Sequence, residues 1–141
     1  MEQNERTFFV LANEFFFAAS ELEKSRNPGK IAMASYYLYG HALELTYKGF
    51  LFQCGVTLKE LKCISHNLEE ALNLARDRGI CNYLCIDAAY ETVVQQLNKY
   101  YFTKEFEYMT TNEKTFPLLM DVKDVVKRTI NSLFAALTQH L

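Results

Sequence analysis

Four polar side chains recur at helical spacing within an otherwise apolar segment, at about residues 30–54. They are Tyr37, His41, Glu44 and Lys48. Because each residue turns an α-helix by about 100°, these four positions fall within a sector of about 60° on its surface. Neighbours in the series lie three or four residues apart, so their side chains can touch. The spacing therefore predicts one polar line along an apolar helix.

This polar line is compatible with two kinds of chemistry. A lysine and a histidine that open on a cleft can bind a phosphate or another anion, and a later histidine near free backbone N–H groups can add a second contact. The same side chains can instead tie the helix to the turn at 65–67, because an unpaired buried charge is costly. Both interpretations stay open. The candidate ligand-binding residues are Tyr37, His41, Glu44, Lys48 and His66.

No other motif assigns a catalytic residue. The chain has no glycine-rich phosphate loop, Walker signature, nucleophile elbow or His-Glu-x-x-His segment. The cysteines lack the paired short spacing of a zinc site, so we predict reduced and mostly buried thiols, with neither a metal nor a cofactor. Several tyrosines could stack nucleic-acid bases, although such a stripe is more typical of a core. The residues concerned are Cys54, Cys63, Cys81, Cys85, Tyr83, Tyr90, Tyr100, Tyr101 and Tyr108.

Composition limits the classes of protein that remain. The 141 residues are 50% hydrophobic, and 15 basic against 17 acidic side chains give a net charge of −2. That balance gives no support to a general nucleic-acid surface. No window approaches the ~20 apolar residues of a membrane span, and the N-terminus lacks the pattern of a secretory signal. We predict one domain, residues 1–141, in a cytoplasmic protein without membrane contact.

Hydrophobic periodicity predicts helices throughout the chain. The expected spans are 5–25, 30–54, 58–64, 68–78, 84–103 and 118–139, with a loop at 104–117. Gly55 is placed to end the second helix, and Thr57 with Glu60 forms a capping box for the third. Short connections favour an all-α, up-and-down antiparallel bundle of about five to six helices. The inner face expected for the first helix is Phe8, Leu11, Phe15, Ala18 and Leu22, with Phe9 and Phe16 on a second apolar edge.

Three segments carry a resemblance to a known family. They are Gly40-His41-Ala42-Leu43-Glu44-Leu45-x-x-Lys48-Gly49-x-Leu51, then Ser65-His66-Asn67-Leu68 after Gly55, and finally Leu97-Asn98-Lys99-Tyr100 before a loop that ends in Pro117. This pattern resembles the HEPN superfamily (higher eukaryotes and prokaryotes nucleotide-binding). Its members often show a helix of the form His-Ala-Leu-Glu-x-x-x-Lys and a later Gly/Ser-His-x-Leu. The resemblance covers about 30–79 and extends over 97–117.

The resemblance implies a helical bundle that is commonly dimeric. Members of the family bind nucleotides or act as metal-independent RNA-cleaving toxins and antiviral effectors. The nuclease members carry an arginine followed, after four to six residues, by a histidine. None of the arginines here has a histidine at that distance, so the resemblance favours a non-catalytic member. Those arginines are Arg6, Arg26, Arg76, Arg78 and Arg128.

Three functional hypotheses follow. The first is a non-catalytic, homodimeric HEPN-like binding or regulatory module for a nucleotide, an RNA or a protein partner, in a defence or toxin–antitoxin setting. The second is a degenerate metal-independent RNase or nucleotide-processing enzyme that uses His41 or His66 as acid or base. The third is a structural dimeric adaptor whose interface is formed by Phe8, Phe9, Phe15 and Phe16.

Overall fold

The chain folds as a bundle of helices around one core. The computed structural model describes residues 4–25, 33–105 and 116–139, with backbone only for 137–139. Over these ranges there are six α-helices and no strand, which confirms the predicted all-α bundle of about six helices. The helices are α1 (Glu5–Ser25), α2 (Met33–Gln53), α3 (Leu58–Ile64), α4 (Leu68–Asp77), α5 (Ala88–Tyr101) and α6 (Leu119–Gln139), with a short 3₁₀ turn at Ile80–Asn82.

Helices α1 and α2 form an antiparallel pair. Phe8 near the start of α1 contacts Phe52 near the end of α2, with ring centroids 5.8 Å apart. Towards the other end of the pair, the Ser35 hydroxyl donates to the carbonyl oxygen of Ala19 at 3.3 Å. Hydrogen bonds between Asn67 and Asn98 and between Arg76 and Glu91 show the same antiparallel order for α4 and α5.

The inner face of α1 differs from the predicted one. Phe8 is buried as expected, but Ala18 and Leu22 are exposed, and the buried positions include Phe9, Ala12 and Ala19. The buried face therefore follows Phe9, Ala12 and Ala19 rather than the line that ends in Ala18 and Leu22. Because Phe8 and Phe9 lie in the core, the proposed four-phenylalanine adaptor surface is wrong.

Helix α2 is the central element of the bundle, as its apolar circumference predicted. It contacts α1, α3, α4, α5 and α6. Gly40 allows α5 to come close, because a Cβ atom at this position would lie 2.6 Å from Cδ1 of Tyr101. The ring of Tyr101 therefore lies directly on the backbone of α2.

The predicted end signals around α2 and α3 are confirmed. Gly55 has φ +97°, the left-handed conformation that glycine adopts without a steric penalty. The Thr57 hydroxyl accepts from the Glu60 N–H, while the Glu60 carboxylate accepts from the Thr57 N–H. The fifth helix is shorter than predicted, because Asp87 caps it at the Tyr90 N–H and the 3₁₀ turn precedes it.

The thiols are more exposed than predicted. Cys63, Cys81 and Cys85 are exposed, and Cys54 is half-buried. They lie on the outer side of α3 and in the connection before α5, where the core is already filled by Leu61, Ile64, Ile80 and Leu84. The prediction of mostly buried cysteines was wrong.

Part of the predicted loop, with one residue of the tyrosine stripe, falls outside the described residues. Tyr108 lies in the segment 106–115. Tyr90, Tyr100 and Tyr101 are buried, as the core interpretation of the tyrosine stripe requires, whereas Tyr83 is exposed. Among the helices within the described ranges, none combines the length and apolarity needed to cross a membrane.

Candidate functional site

Glu44 lies at the centre of a hydrogen-bonded cluster inside the bundle. Its Oε1 accepts from the Tyr101 hydroxyl at 2.7 Å and from Nδ1 of His66 at 2.9 Å. Its Oε2 accepts from Nζ of Lys48 at 2.9 Å. The Glu44 side chain is only 5% exposed. One buried carboxylate therefore joins α2, α5 and the turn before α4.

The surroundings of Glu44 favour its ionised form. Burial by itself raises the pKa of the carboxyl, since a charge loses solvation inside the protein. The positive charge of Lys48 and the hydrogen bonds from His66, Tyr101 and Lys48 act in the opposite direction and prevail. The pKa of Glu44 is consequently held below the ordinary value of a glutamate, and the carboxylate stays charged at neutral pH.

Lys48 is directed into this cluster rather than towards solvent. Besides Glu44, its Nζ donates to the carbonyl oxygen of Ser65 at 2.6 Å, and its side chain is 11% exposed. Ser65 has φ 56°, an unusual conformation for a residue with a side chain. The predicted tie between the central helix and the 65–67 turn is thus confirmed, and it occupies the ammonium group.

His41 reaches the cluster through Tyr101. Its Nδ1 lies 3.0 Å from the Tyr101 hydroxyl and 3.9 Å from Oε1 of Glu44. Since Tyr101 donates its proton to Glu44, the nitrogen of His41 is the donor to the tyrosine oxygen. Phe15 contacts the imidazole edge-on with centroids 4.5 Å apart, and Tyr37 stacks on it at 6.1 Å. The ring is therefore held in one orientation by aromatic and polar contacts.

His66 is the most accessible member of the cluster. Its Nδ1–H donates to Glu44, and its side chain is 44% exposed, compared with 23% for His41. Within the described part of the chain, Nε2 of His66 has no hydrogen-bond partner. We call the surface formed by His41 and His66 the imidazole face. On this face both rings use Nδ1–H internally, so a second proton at Nε2 would make either ring a cation.

The start of α4 is less available than the sequence suggested. The Leu68 N–H donates to Oδ1 of Asn98 at 2.8 Å, and the Glu70 N–H donates to Oδ1 of Asn67 at 3.2 Å. Asn98 also donates from Nδ2 to Asn67 at 3.0 Å. These two N–H groups are therefore satisfied within the protein, so fewer donors remain beside His66 than the sequence suggested.

The structure brings all five predicted site residues together and adds two that the prediction did not place there. Tyr37, His41, Glu44, Lys48 and His66 are joined through Tyr101, with Asn98 supporting the adjacent turn. Tyr101 follows Glu44 by 57 residues and lies on another helix, so helical spacing contains no signal of this contact. The same contact explains the glycine at position 40, because a larger side chain there would collide with the ring of Tyr101.

We compared the chain with family models, curated proteins and solved structures. None matches. Within the described ranges, no group of three or more His, Cys, Asp or Glu side chains is arranged to hold a metal ion.

Proposed function

We propose that this chain is a non-catalytic binding module of the HEPN type that takes a nucleotide or an RNA by its phosphate at the imidazole face. The observation that carries the proposal is the pair of partly exposed imidazoles, both held within 3.9 Å of one oxygen of Glu44. The buried carboxylate orients both rings, and the exposed edge of His66 is accessible to a ligand. Each side chain then approaches the ligand with little freedom to lose.

The charge balance of the cluster favours an anion when the rings are protonated. Glu44 and Lys48 neutralise each other in a direct ion pair at 2.9 Å. Each proton taken up by His41 or His66 then adds one positive charge to the exposed side of the cluster. The ligand class that fits this face is therefore an anion, and binding should strengthen as the histidines become protonated.

Contacts among the three segments that resemble the HEPN family support the same proposal. Glu44 and Lys48 of the first segment bind His66 and Ser65 of the second. Asn98 of the third segment binds the Leu68 N–H of the second. Segments that are separated in the sequence thus form one cluster, as expected if they serve a common site.

Direct binding measurements test this proposal. We expect the imidazole resonances of His66 and His41 to shift on titration with a nucleoside monophosphate or a short single-stranded RNA in slightly acidic buffer. Lys59, an exposed cation on α3, provides a matched control, and Lys59→Gln should leave the titration unchanged. Binding that leaves both imidazole signals in place would contradict the proposed site.

A second candidate is an acid–base enzyme, favoured by the Glu44–His66 pair. The carboxylate orients His66 through Nδ1 at 2.9 Å and leaves Nε2 for proton transfer, as in other carboxylate–histidine pairs. The sequence lacks the arginine–histidine spacing of the family's nucleases, which argues against RNA cleavage. In the described part of the chain, no arginine forms a hydrogen bond with His66 or His41 either. Incubation with labelled RNA, with and without a chelator, decides this point.

In that assay the enzyme hypothesis requires metal-independent cleavage by the wild-type chain. The cleavage should be lost in His66→Gln while the helical circular dichroism spectrum is retained. No cleavage at high protein concentration would contradict the enzyme hypothesis.

A further inference from the structure

A cavity of about 420 Å³ lies at the opposite end of α2 from Tyr37, away from the imidazole face. Its walls come from the end of α2, the turn after α4, the start of α1 and the last part of α6. Binding sites for small molecules typically enclose about 300–1,000 Å³, so this one has room for a small organic ligand. The lining residues are Glu5, Phe50, Gln53, Cys54, Arg78, Gly79, Asn82, Tyr83 and Ala136.

The cavity presents one full charge of each sign. Glu5 lines it from the first turn of α1, and Arg78 lines it from the residue that ends α4. Neither side chain forms an ion pair within the described part of the chain. The Arg78 guanidinium makes one long hydrogen bond, from Nη1 to the carbonyl oxygen of Cys54 at 3.4 Å. Most of its donors therefore remain for a ligand.

The other walls supply amides and apolar surface. Gln53 and Asn82 bring one side-chain amide each, and each amide offers both a donor and an acceptor. The ring of Phe50 meets that of Tyr83 at 68° with centroids 6.1 Å apart, so two aromatic side chains form a continuous apolar wall. Phe50 is buried, whereas Tyr83 is 39% exposed and covers the edge of this wall.

We propose that this cavity is a second binding site, for a small zwitterion with an apolar side chain, that is, a free amino acid. The guanidinium of Arg78 would hold the carboxylate by paired hydrogen bonds, which suit the planar fork of arginine. The ammonium group would donate to Glu5 and to the amide oxygens. The apolar side chain would lie against Phe50, Tyr83 and Ala136.

The paired charges distinguish this ligand from a nucleotide. A phosphate dianion would be attracted by the guanidinium of Arg78 but repelled by the carboxylate of Glu5, which lines the same cavity. A zwitterion satisfies both groups at once. The site is separate from the imidazole face, so the proposal does not depend on the proposed function.

Calorimetric titration of the full chain with L-phenylalanine and L-leucine tests the proposal. We expect saturable binding at one site. Two analogues of L-phenylalanine are titrated against the wild-type protein: 3-phenylpropanoate lacks the ammonium group, and phenethylamine lacks the carboxylate. Each should bind about tenfold more weakly than L-phenylalanine, because each loses a charge-assisted contact. Glycine should also bind more weakly, because it has no side chain to cover the aromatic wall.

Variants locate the binding. Arg78→Gln and Glu5→Gln should each weaken L-phenylalanine binding by about tenfold or more. Lys127→Gln and Glu14→Gln, which remove exposed charges elsewhere on α6 and α1, should leave it unchanged. Absence of binding by both amino acids at millimolar concentration would overturn the proposal. So would an affinity for either truncated analogue that equals the affinity for L-phenylalanine, or adenosine monophosphate binding that Arg78→Gln abolishes.

Discussion

At Glu44, burial and hydrogen bonding act in opposite directions on the charge of one carboxylate. Burial disfavours the ion, whereas Lys48, His66 and Tyr101 stabilise it and lower its pKa. Some residues of the cluster therefore have a structural role, whereas others are accessible to a ligand. Glu44 and Lys48 support the cluster from inside, whereas His66 is its most exposed side chain.

Replacement of Glu44 should show how much the cluster contributes to stability. In Glu44→Gln the ammonium of Lys48 stays buried without its counter-charge, so the free energy of unfolding should fall by about 3 kcal/mol. Urea unfolding followed by circular dichroism measures this change. Glu14→Gln, at an exposed position of α1, is the matched control and should change stability by no more than about 0.5 kcal/mol. Equal values for the two variants would show that the ion pair contributes nothing.

The lowered pKa of Glu44 predicts a dependence of stability on acid. A carboxyl whose pKa is lower in the folded state stabilises the fold above its unfolded pKa of about 4.3, and the contribution is lost as the pH falls towards the folded value. The stability difference between wild type and Glu44→Gln should therefore be constant near neutral pH and should shrink below about pH 4. A difference that widens on acidification would contradict the direction of the shift.

At the scale of elements, the site depends on how closely α5 approaches α2. Gly40 faces the ring of Tyr101, and Tyr101 connects His41 to Glu44 through its hydroxyl. The polar line on α2 was predictable from spacing alone, because it lies within one helix. Its connection to α5 was not, because it depends on the position of one helix against another.

Gly40→Ala tests this close approach. Alanine favours a helix by about 1 kcal/mol over glycine, but overpacking against Tyr101 costs about 1–3 kcal/mol. We expect a net loss of stability in urea, together with shifted imidazole resonances of His41 and His66.

Gly49→Ala is the control for this variant, since its new Cβ would lie 2.9 Å from Cβ of Phe8, on the other side of α2. It should lower stability without moving the imidazole signals. Unchanged histidine signals in Gly40→Ala would show that the position of the Tyr101 ring does not affect the surroundings of His41 and His66.

At the scale of the whole molecule, buried hydroxyl groups join three helices. The Tyr47 hydroxyl lies 2.6 Å from that of Tyr90, which lies 2.7 Å from Oγ1 of Thr129. Burial raises the pKa of Tyr90 to about 12 and raises that of Tyr47 well above its ordinary value. These hydroxyls therefore stay protonated and act as hydrogen-bonding groups between α2, α5 and α6.

This chain of hydroxyls should behave as one unit on mutation. Tyr90→Phe breaks both links and should cost about 2 kcal/mol, whereas Tyr47→Phe breaks one and should cost about 1 kcal/mol. Because the two tyrosines share a hydrogen bond, the double variant should lose less than the sum of the single losses. Additive losses in urea unfolding would show that the groups act independently.

The fold was largely predictable from the sequence, and the site only in part. Periodicity and end signals such as Gly55 and Thr57 determine where helices begin and end, because these signals are local. The prediction of the inner face of α1 was wrong because Ala12 and Ala19 are buried there. The hydrophobic pattern of one helix does not show where small side chains allow a neighbouring helix to come close. The exposure of His66 likewise depends on the final position of the turn.

The affinity of the protein for a short single-stranded RNA, measured by fluorescence anisotropy near pH 6 and pH 8, tests whether the imidazole face binds RNA. A protonated imidazole attracts an anion more strongly than a neutral one, so wild-type affinity should be higher near pH 6 than near pH 8. At that pH, His66→Gln should weaken binding by about tenfold, while Lys59→Gln should bind as wild type does. An affinity that neither the pH nor His66→Gln changes would contradict the assignment of the imidazole face as the binding site.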